Sequence, residues 1–280
     1  MRDCEPRMKE RSGVDKGMEE LDYDPMKILI LTALPQEYSP LRKLFPSWRL
    51  VRKRPWKKFA FKLPDKEIVL IECGMGAKSA KEALGVELAG FTPDLLIFSG
   101  FAGGLHPDLP IGVVCFAVSA RGIFSEKVFQ FRVPDALFDF LAQNNIRPAL
   151  TLSAETPGDK QALSDLASGQ TAVLDMETAT VAEIAWHNKI PFICLRAISD
   201  PIGHDLGFNL SDIADDRGRI RLTGVLFTVI RKPAALRAFY LSWRSSRRAA
   251  KNLCGSVAAF LGIPAPLLGK IAGEIRIERQ

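Results

Sequence analysis

The strongest constraint on the fold of this 280-residue chain is a series of short runs, rich in β-branched residues, that are apolar at nearly every position. They are Lys27–Ala33 (KILILTA), Ile68–Cys73 (IVLIEC), Asp94–Ser99 (DLLIFS), Gly112–Val118, Ala149–Ser153 and Pro191–Ile198. A strand with one wet face alternates apolar and polar residues, so a run without alternation must be covered on both faces. Helical patterns lie between these runs, at 77–90, 137–144 and 177–188. A further pair, Leu222–Ile230 and Ala234–Phe260, follows near the C-terminus, and Pro233 suits the start of the second. Strands alternating with helices predict an α/β fold, a mainly parallel or mixed sheet covered on both faces by helices, in a chain long enough for one large domain or two small ones, with a C-terminal helical extension.

Charge placement narrows the partners. The formal charge is +6, yet ten basic residues and no acid lie between Arg217 and Lys251, so the rest of the chain carries −4. An acidic body with one late basic segment argues against nucleic acid and points to one polyanionic surface instead. A second basic cluster, Trp48–Lys62, has interleaved aromatics and reads as a solvated hairpin with its apolar side packed. With 47% hydrophobic and 25% charged residues, disorder, collagen and coiled coil are excluded. The five cysteines are scattered, three of them in strand-like runs, and read as buried free thiols; three histidines and no Cys/His cluster leave no metal site expected. Residues 1-25 lack the apolar core of a signal peptide and read as a disordered tail, or an over-long start, of a cytoplasmic chain. The division expected is 26-216 as the main domain, 217-262 as a basic helical extension packed on it, and 263-280 as a tail.

Four motifs fall where strands end. Gly74-Met75-Gly76 follows a strand and opens a helix, but Ser79 stands at the third small position and Asp94 begins the next strand, so it fails as a dinucleotide fingerprint. That helix N-terminus remains suited to an anion. Ser99-Gly100-Phe101-Ala102-Gly103-Gly104 follows an apolar strand, where glycine permits either close ligand approach or a sharp turn. Asp175-Met176-Glu177-Thr178 lies where a strand meets a helix, and Arg196-Ala197-Ile198-Ser199-Asp200-Pro201 where a strand runs out. Ligands of α/β sheets collect beyond the carboxyl ends of strands, so Glu37, Glu177 and Asp200 can converge on one cleft.

Taken together, Lys27–Glu37 (KILILTALPQE), Gly74–Ala77, Pro93–Gly112, Asp175–Ala182 (DMETATVA) and Pro191–Asp200 (PFICLRAISD) resemble the nucleoside phosphorylase and nucleosidase superfamily, particularly the methylthioadenosine/S-adenosylhomocysteine nucleosidases. The resemblance implies a single α/β domain around a central mixed, partly barrel-like sheet flanked by helices, and an enzyme that cleaves N-glycosidic bonds, as a homo-oligomer without cofactor. It assigns Asp200 as general acid on the purine, with Ser199 beside it. Glu37 becomes the carboxylate that activates water, and Arg196 the residue steadying it. Met176 and Glu177 would bind the ribose, and Gly100, Phe101, Ala102, Gly103 and Ser153 would line the substrate. Phe101 stands where those enzymes carry a serine, and Ser153-Ala154-Glu155-Thr156-Pro157 replaces their aromatic base-stacking loop. A phosphate-binding arginine motif is not evident near Glu37, where Arg42 is the one nearby candidate. Glu37 favours water, with phosphate left open as co-substrate.

Beyond Gly203, a Gly218-Arg219-Ile220-Arg221 turn, an apolar helix, Arg231-Lys232-Pro233 and an Arg-rich helix resemble the hopanoid-associated phosphorylases, which implies an adenosylated hopanoid lipid as substrate. Leu236, Phe239, Tyr240 and Trp243 share one helical face, with Arg237, Arg244, Arg248 and Lys251 beside it. Two readings stand: residues 217-251 dock on an anionic inner-membrane surface, or the helix packs on the domain with its arginines solvated. The alternatives to the lipid substrate are a methylthioadenosine/S-adenosylhomocysteine nucleosidase or a purine nucleoside phosphorylase. From another class comes a non-catalytic nucleoside- or polyanion-binding module.

Overall fold

A computed structural model describes residues 24–154, 160–167, 169–202 and 234–280; within these, the side chains of 161, 162 and 234–243 are not described. In chain order the elements are β1 (Met26–Thr32), α1 (Pro35–Leu44), β2 (Arg49–Arg52), β3 (Lys57–Leu63), β4 (Lys66–Glu72) and α2 (Ala77–Leu88). Next come β5 (Leu95–Gly104), β6 (Val114–Gly122), β7 (Val128–Arg132), α3 (Asp135–Gln143), β8 (Ile146–Ser153) and α4 (Lys160–Leu166). The chain continues through β9 (Ala172–Asp175), α5 (Thr178–His187), β10 (Phe192–Asp200), α6 (Ala234–Gly262), α7 (Ala265–Glu274) and β11 (Arg276–Arg279).

All the described strands join one mixed sheet, in the order β11-β7-β6-β8-β9-β5-β1-β4-β3-β2, with β10 bridging β5 and β6. That bridge closes a ring, β5-β10-β6-β8-β9, in which β5/β10, β6/β8 and β8/β9 are parallel while β10/β6 and β5/β9 are antiparallel. The fold is therefore α/β with a barrel-like centre, as the sequence led us to expect. Closure removes sheet edges where the site forms. The two arms that leave the ring are β1-β4-β3-β2 and β7-β11.

The unalternating apolar runs are explained by cover on both faces. On β1, Ile28 and Ile30 enter a core shared with Leu41 of α1 and Leu253, Val257 and Phe260 of α6. Leu29 and Leu31 face the opposite core, built with Ala80 and Leu84 of α2 and Val181 and Ala185 of α5. The Trp48–Lys62 cluster is a hairpin, β2 antiparallel to β3, with Trp48, Phe59 and Phe61 turned inward and their rings in contact. Cys73, Cys115, Cys194 and Cys254 are buried free thiols.

The stretch 263-280 is a correction to the sequence reading: it is a helix and a strand rather than a tail. Pro264 sits at the N-cap and Pro266 in the first turn of α7, positions where a missing N–H costs nothing. Leu268, Ile271 and Ala272 then bury one helical face. β11 pairs antiparallel with β7, Ile277 opposite Phe131. A four-residue strand with a single apolar residue has no signature without its partner. The expected helix 222–230 and residues 1–23 of the expected tail 1-25 lie outside the described residues. So do the side chains of Leu236, Phe239, Tyr240 and Trp243.

Candidate functional site

The site grows from the carboxyl end of β5 and its neighbours. β10 runs parallel to β5 with Arg196 opposite Gly100, Ala197 opposite Phe101 and Ile198 opposite Ala102; a bulge then leaves Asp200 opposite Gly103. The extra residue breaks the side-chain alternation and re-aims the end of β10. Glu37 arrives from the first turn of α1, and Glu177 from the junction of β9 with α5.

Arg196 is the centre of this arrangement and is 1% exposed. Its Nη2 lies 2.5 Å from Asp175 Oδ2 and 3.8 Å from Glu177 Oε2. Nη2 and Nε both donate to Thr178 Oγ1, at 2.8 and 3.1 Å, and the guanidinium lies 3.9 Å above the Phe98 ring. Such a bed is feasible only because residue 100 lacks a side chain: a Cβ there would intrude on Arg196 Nη1 and sit 3.0 Å from Glu37 Oε1. A buried charge persists when it is paired and hydrogen-bonded. Asp175, Glu177 and Glu37 all favour the cation, which keeps Arg196 protonated despite its burial.

Glu37 is held by backbone amides. Ala33 and Leu34 N–H both donate to Oε2 at 2.8 Å, and Phe101 N–H donates to Oε1 at 2.9 Å. Burial nevertheless raises its pKa; the three amides and Arg196 oppose that rise without cancelling it. Glu177 Oε1 accepts the Gly76 N–H at 2.7 Å, so the anion at the N-terminus of α2 is the protein's own carboxylate. Burial first, then the Asp175 charge, pushes the Glu177 pKa up to about 7. Three carboxylates thus surround one guanidinium, and the cluster is acidic even after one proton is retained.

The second half of the site is Asp200. Ser199 Oγ donates to Oδ1 at 2.7 Å, and Lys160 Nζ, from the start of α4, contacts Oδ2 and the Asp200 carbonyl, the latter at 2.9 Å. Gly103 lets the lysine pass, since a Cβ there would stand 2.9 Å from Lys160 Cε. Ser199 Oγ also lies 3.5 Å from the Ala102 carbonyl.

Of the residues expected from sequence, the structure gathers Glu37, Gly100, Phe101, Glu177 and Arg196 in one cluster and Ala102, Gly103, Ser199 and Asp200 in the adjoining one. Met176 lies between Asp175 and Glu177, half-buried. Ser153 is different: its hydroxyl donates to Asp175 Oδ1 at 2.6 Å and accepts the Ala179 N–H at 3.0 Å, so its polar capacity goes to the β9–α5 junction. Glu155, Thr156 and Pro157 lie outside the described residues. The residues missed were Asp175, Thr178, Phe98 and Lys160. Asp175 and Thr178 stood in a quoted motif as a helix start, and Thr178 N–H does donate to Asp175 Oδ2 at 3.2 Å. Lys160 carried no signal, being separated from Asp200 by 40 residues. Among the described residues no group of three His, Cys, Asp or Glu side chains could hold a metal ion, and no single helix is long and apolar enough to cross a membrane.

A family model described as "Phosphorylase superfamily" matches residues 27–167 and 141–231. The chain is 28% identical over 204 residues to a 5'-methylthioadenosine/S-adenosylhomocysteine nucleosidase of Bacillus licheniformis, covering 64% of this chain and 88% of that one. It is 25% identical over 224 residues to the enzyme of the same name from Oceanobacillus iheyensis, covering 69% and 94%. Among solved structures, a futalosine hydrolase of Helicobacter pylori superposes with a TM-score of 0.62 at 16% identity, covering 84% of this chain and 96% of that one. A 5'-methylthioadenosine/S-adenosylhomocysteine nucleosidase from Neisseria meningitidis, in complex with methylthio-immucillin-A, gives 0.62 at 18% identity, covering 83% and 97%. The two superpositions show a shared fold.

Proposed function

The chain belongs to the phosphorylase superfamily, and from that premise we propose that it is a nucleosidase cleaving the N-glycosidic bond of an adenine nucleoside of the methylthioadenosine or S-adenosylhomocysteine type. The observation that carries the reading is the acidic cluster around Arg196. Rupture of a glycosidic bond builds positive charge on the sugar, and preorganised carboxylates in a water-poor site stabilise that charge. Glu177, anchored by the Gly76 amide, accepts the sugar hydroxyls and faces the developing cation. Glu37, aimed by three amides, takes the proton of the attacking water, for which a raised pKa is an advantage. Arg196 fixes the relative positions of Glu37, Asp175 and Glu177. Asp200 delivers a proton to the leaving purine, oriented by Ser199.

Water is favoured over phosphate as nucleophile, because the carboxylates of Glu37, Asp175 and Glu177 outnumber the single guanidinium beside them, and that surplus of negative charge disfavours a second anion. Product analysis decides this: free ribose derivatives from methylthioadenosine, with no dependence on phosphate, support hydrolysis, and a ribose 1-phosphate derivative overturns it. Asp200→Asn should lower kcat for adenine release by about 10²–10⁴-fold, and an undiminished rate refutes its role. The adenosylated hopanoid and the membrane surface rest on resemblance in the segment beyond Gly203. An adenosylated lipid in anionic liposomes belongs in the same assay, where preference over methylthioadenosine would move the substrate toward lipid.

A further inference from the structure

A lysine occupies the acid end of the site. Lys160 Nζ contacts Asp200 Oδ2, donates to the Asp200 carbonyl at 2.9 Å, and lies 3.5 Å from the Pro201 carbonyl. The pair is largely shielded, with side chains 19% and 20% exposed, so it is not one of the loose surface pairs that contribute little. Ser199 Oγ holds the other oxygen, Oδ1. Gly103 is shaped to this contact: its absent Cβ would fall 2.9 Å from Lys160 Cε, 3.1 Å from Nζ and 3.3 Å from Asp200 Oδ2. The lysine, the glycine and the bulge in β10 form one construction around a single carboxylate oxygen.

Resting on the nucleosidase reading, we infer that Lys160 recharges Asp200: the proton that reaches the leaving purine originates on the Lys160 ammonium and passes through Asp200. The step balances. A proton leaves Nζ, is held on Oδ2 and passes to a ring nitrogen of the purine, while Ser199 keeps its bond to Oδ1. The electron pair of the breaking C1'–N bond goes to the base, which departs neutral. The oxygen of water bonds C1' and its proton goes to Glu37. Lysine ends as a neutral amine and Glu37 as a carboxylic acid, and solvent returns the proton from one to the other. Lys160 does not touch the sugar or the base; it is a positioning and proton-supplying residue that acts through Asp200.

The test uses the full chain and two leaving groups. Adenine in methylthioadenosine needs a proton to depart, whereas 4-nitrophenolate in 4-nitrophenyl riboside does not. Lys160→Met should lower kcat on methylthioadenosine about 100-fold with little change in KM, and leave nitrophenolate release near the wild-type rate. Lys160→Arg should not rescue, because a guanidinium keeps the charge and its N–H donors but is too weak an acid to release a proton. In an Asp200→Asn background, Lys160→Met should cause no further loss. An equal fall on both substrates, rescue by arginine, or additive losses in the double variant would each overturn the relay. A wild-type protein that releases no purine from any nucleoside would instead refute the nucleosidase reading beneath it.

Discussion

Gly100→Ala is the smallest perturbation that reaches the centre of the site. The added methyl would overlap Arg196 Nη1 and stand 3.0 Å from Glu37 Oε1 and 3.4 Å from Arg196 Cζ. The glutamate cannot retreat without releasing the Ala33, Leu34 and Phe101 amides. The guanidinium cannot retreat without leaving Thr178, Asp175 and the Phe98 ring. Overpacking a tightly fitted interior costs about 1–3 kcal/mol, and a displacement of about 1 Å in a positioning group costs about 100-fold in rate. The variant should therefore fold, unfold at lower urea concentration by that margin, and release adenine about 100-fold more slowly. Gly85→Ala is the matched control: it lies on the exposed side of α2 with nothing within 4 Å of its Cβ position. Replacing glycine in a helix there should stabilise by roughly 0.5–1 kcal/mol and leave the rate unchanged. Wild-type kcat in Gly100→Ala, with wild-type stability, would refute the account of Arg196 and Glu37 as a fixed pair.

Two further perturbations probe the same frame. The folded-state pKa of Glu177 is raised from 4.5 to about 7, so the folded protein binds the extra proton. That stability is fully present below about pH 4.5 and is lost as the pH rises through about 7, by up to roughly 3 kcal/mol at 1.36 kcal/mol per pKa unit. Urea unfolding at pH 5 and pH 8 should show Glu177→Gln losing less stability than wild type across that range; equal losses would refute the assignment. Away from the site, Glu87 is 4% exposed and accepts bonds from Arg52, from Lys58 at 2.7 Å and from Trp56 Nε1 at 3.3 Å, tying the β2–β3 hairpin to α2. Glu87→Ala should cost roughly 1–3 kcal/mol of stability without changing kcat, and a selective loss of activity would show that the hairpin serves the site.

Much of the chemistry was legible because it sits where local patterns change. Glu37 follows a strand and a proline that opens α1, and Asp200 ends an apolar strand before Pro201. The glycines that the sequence offered for either close approach or a sharp turn lie in the second half of β5, and Gly100 and Gly103 each admit a long cationic side chain. Ser153, the last residue of β8, is assigned to the substrate lining only through the family resemblance, and no local feature shows that its hydroxyl turns to Asp175. The N-terminus of α2 was read as a place for an anion, but the anion proved to be Glu177, 101 residues away.

By itself, the sequence determined the layers. A run such as ILIL in β1 has no polar face to offer water, so both faces must be covered, and the sheet must be interior. That conclusion needs only the side-chain period of a strand. The tertiary structure decided how the ring closes through β10, how β11 finds β7, and which partners the charged groups take. Arg196 against Asp175 and Thr178, and Lys160 against Asp200, are contacts between residues far apart in the chain. Periodicity records whether a residue is buried; the identity of what it meets there is fixed by strand register and helix packing, which leave no local trace.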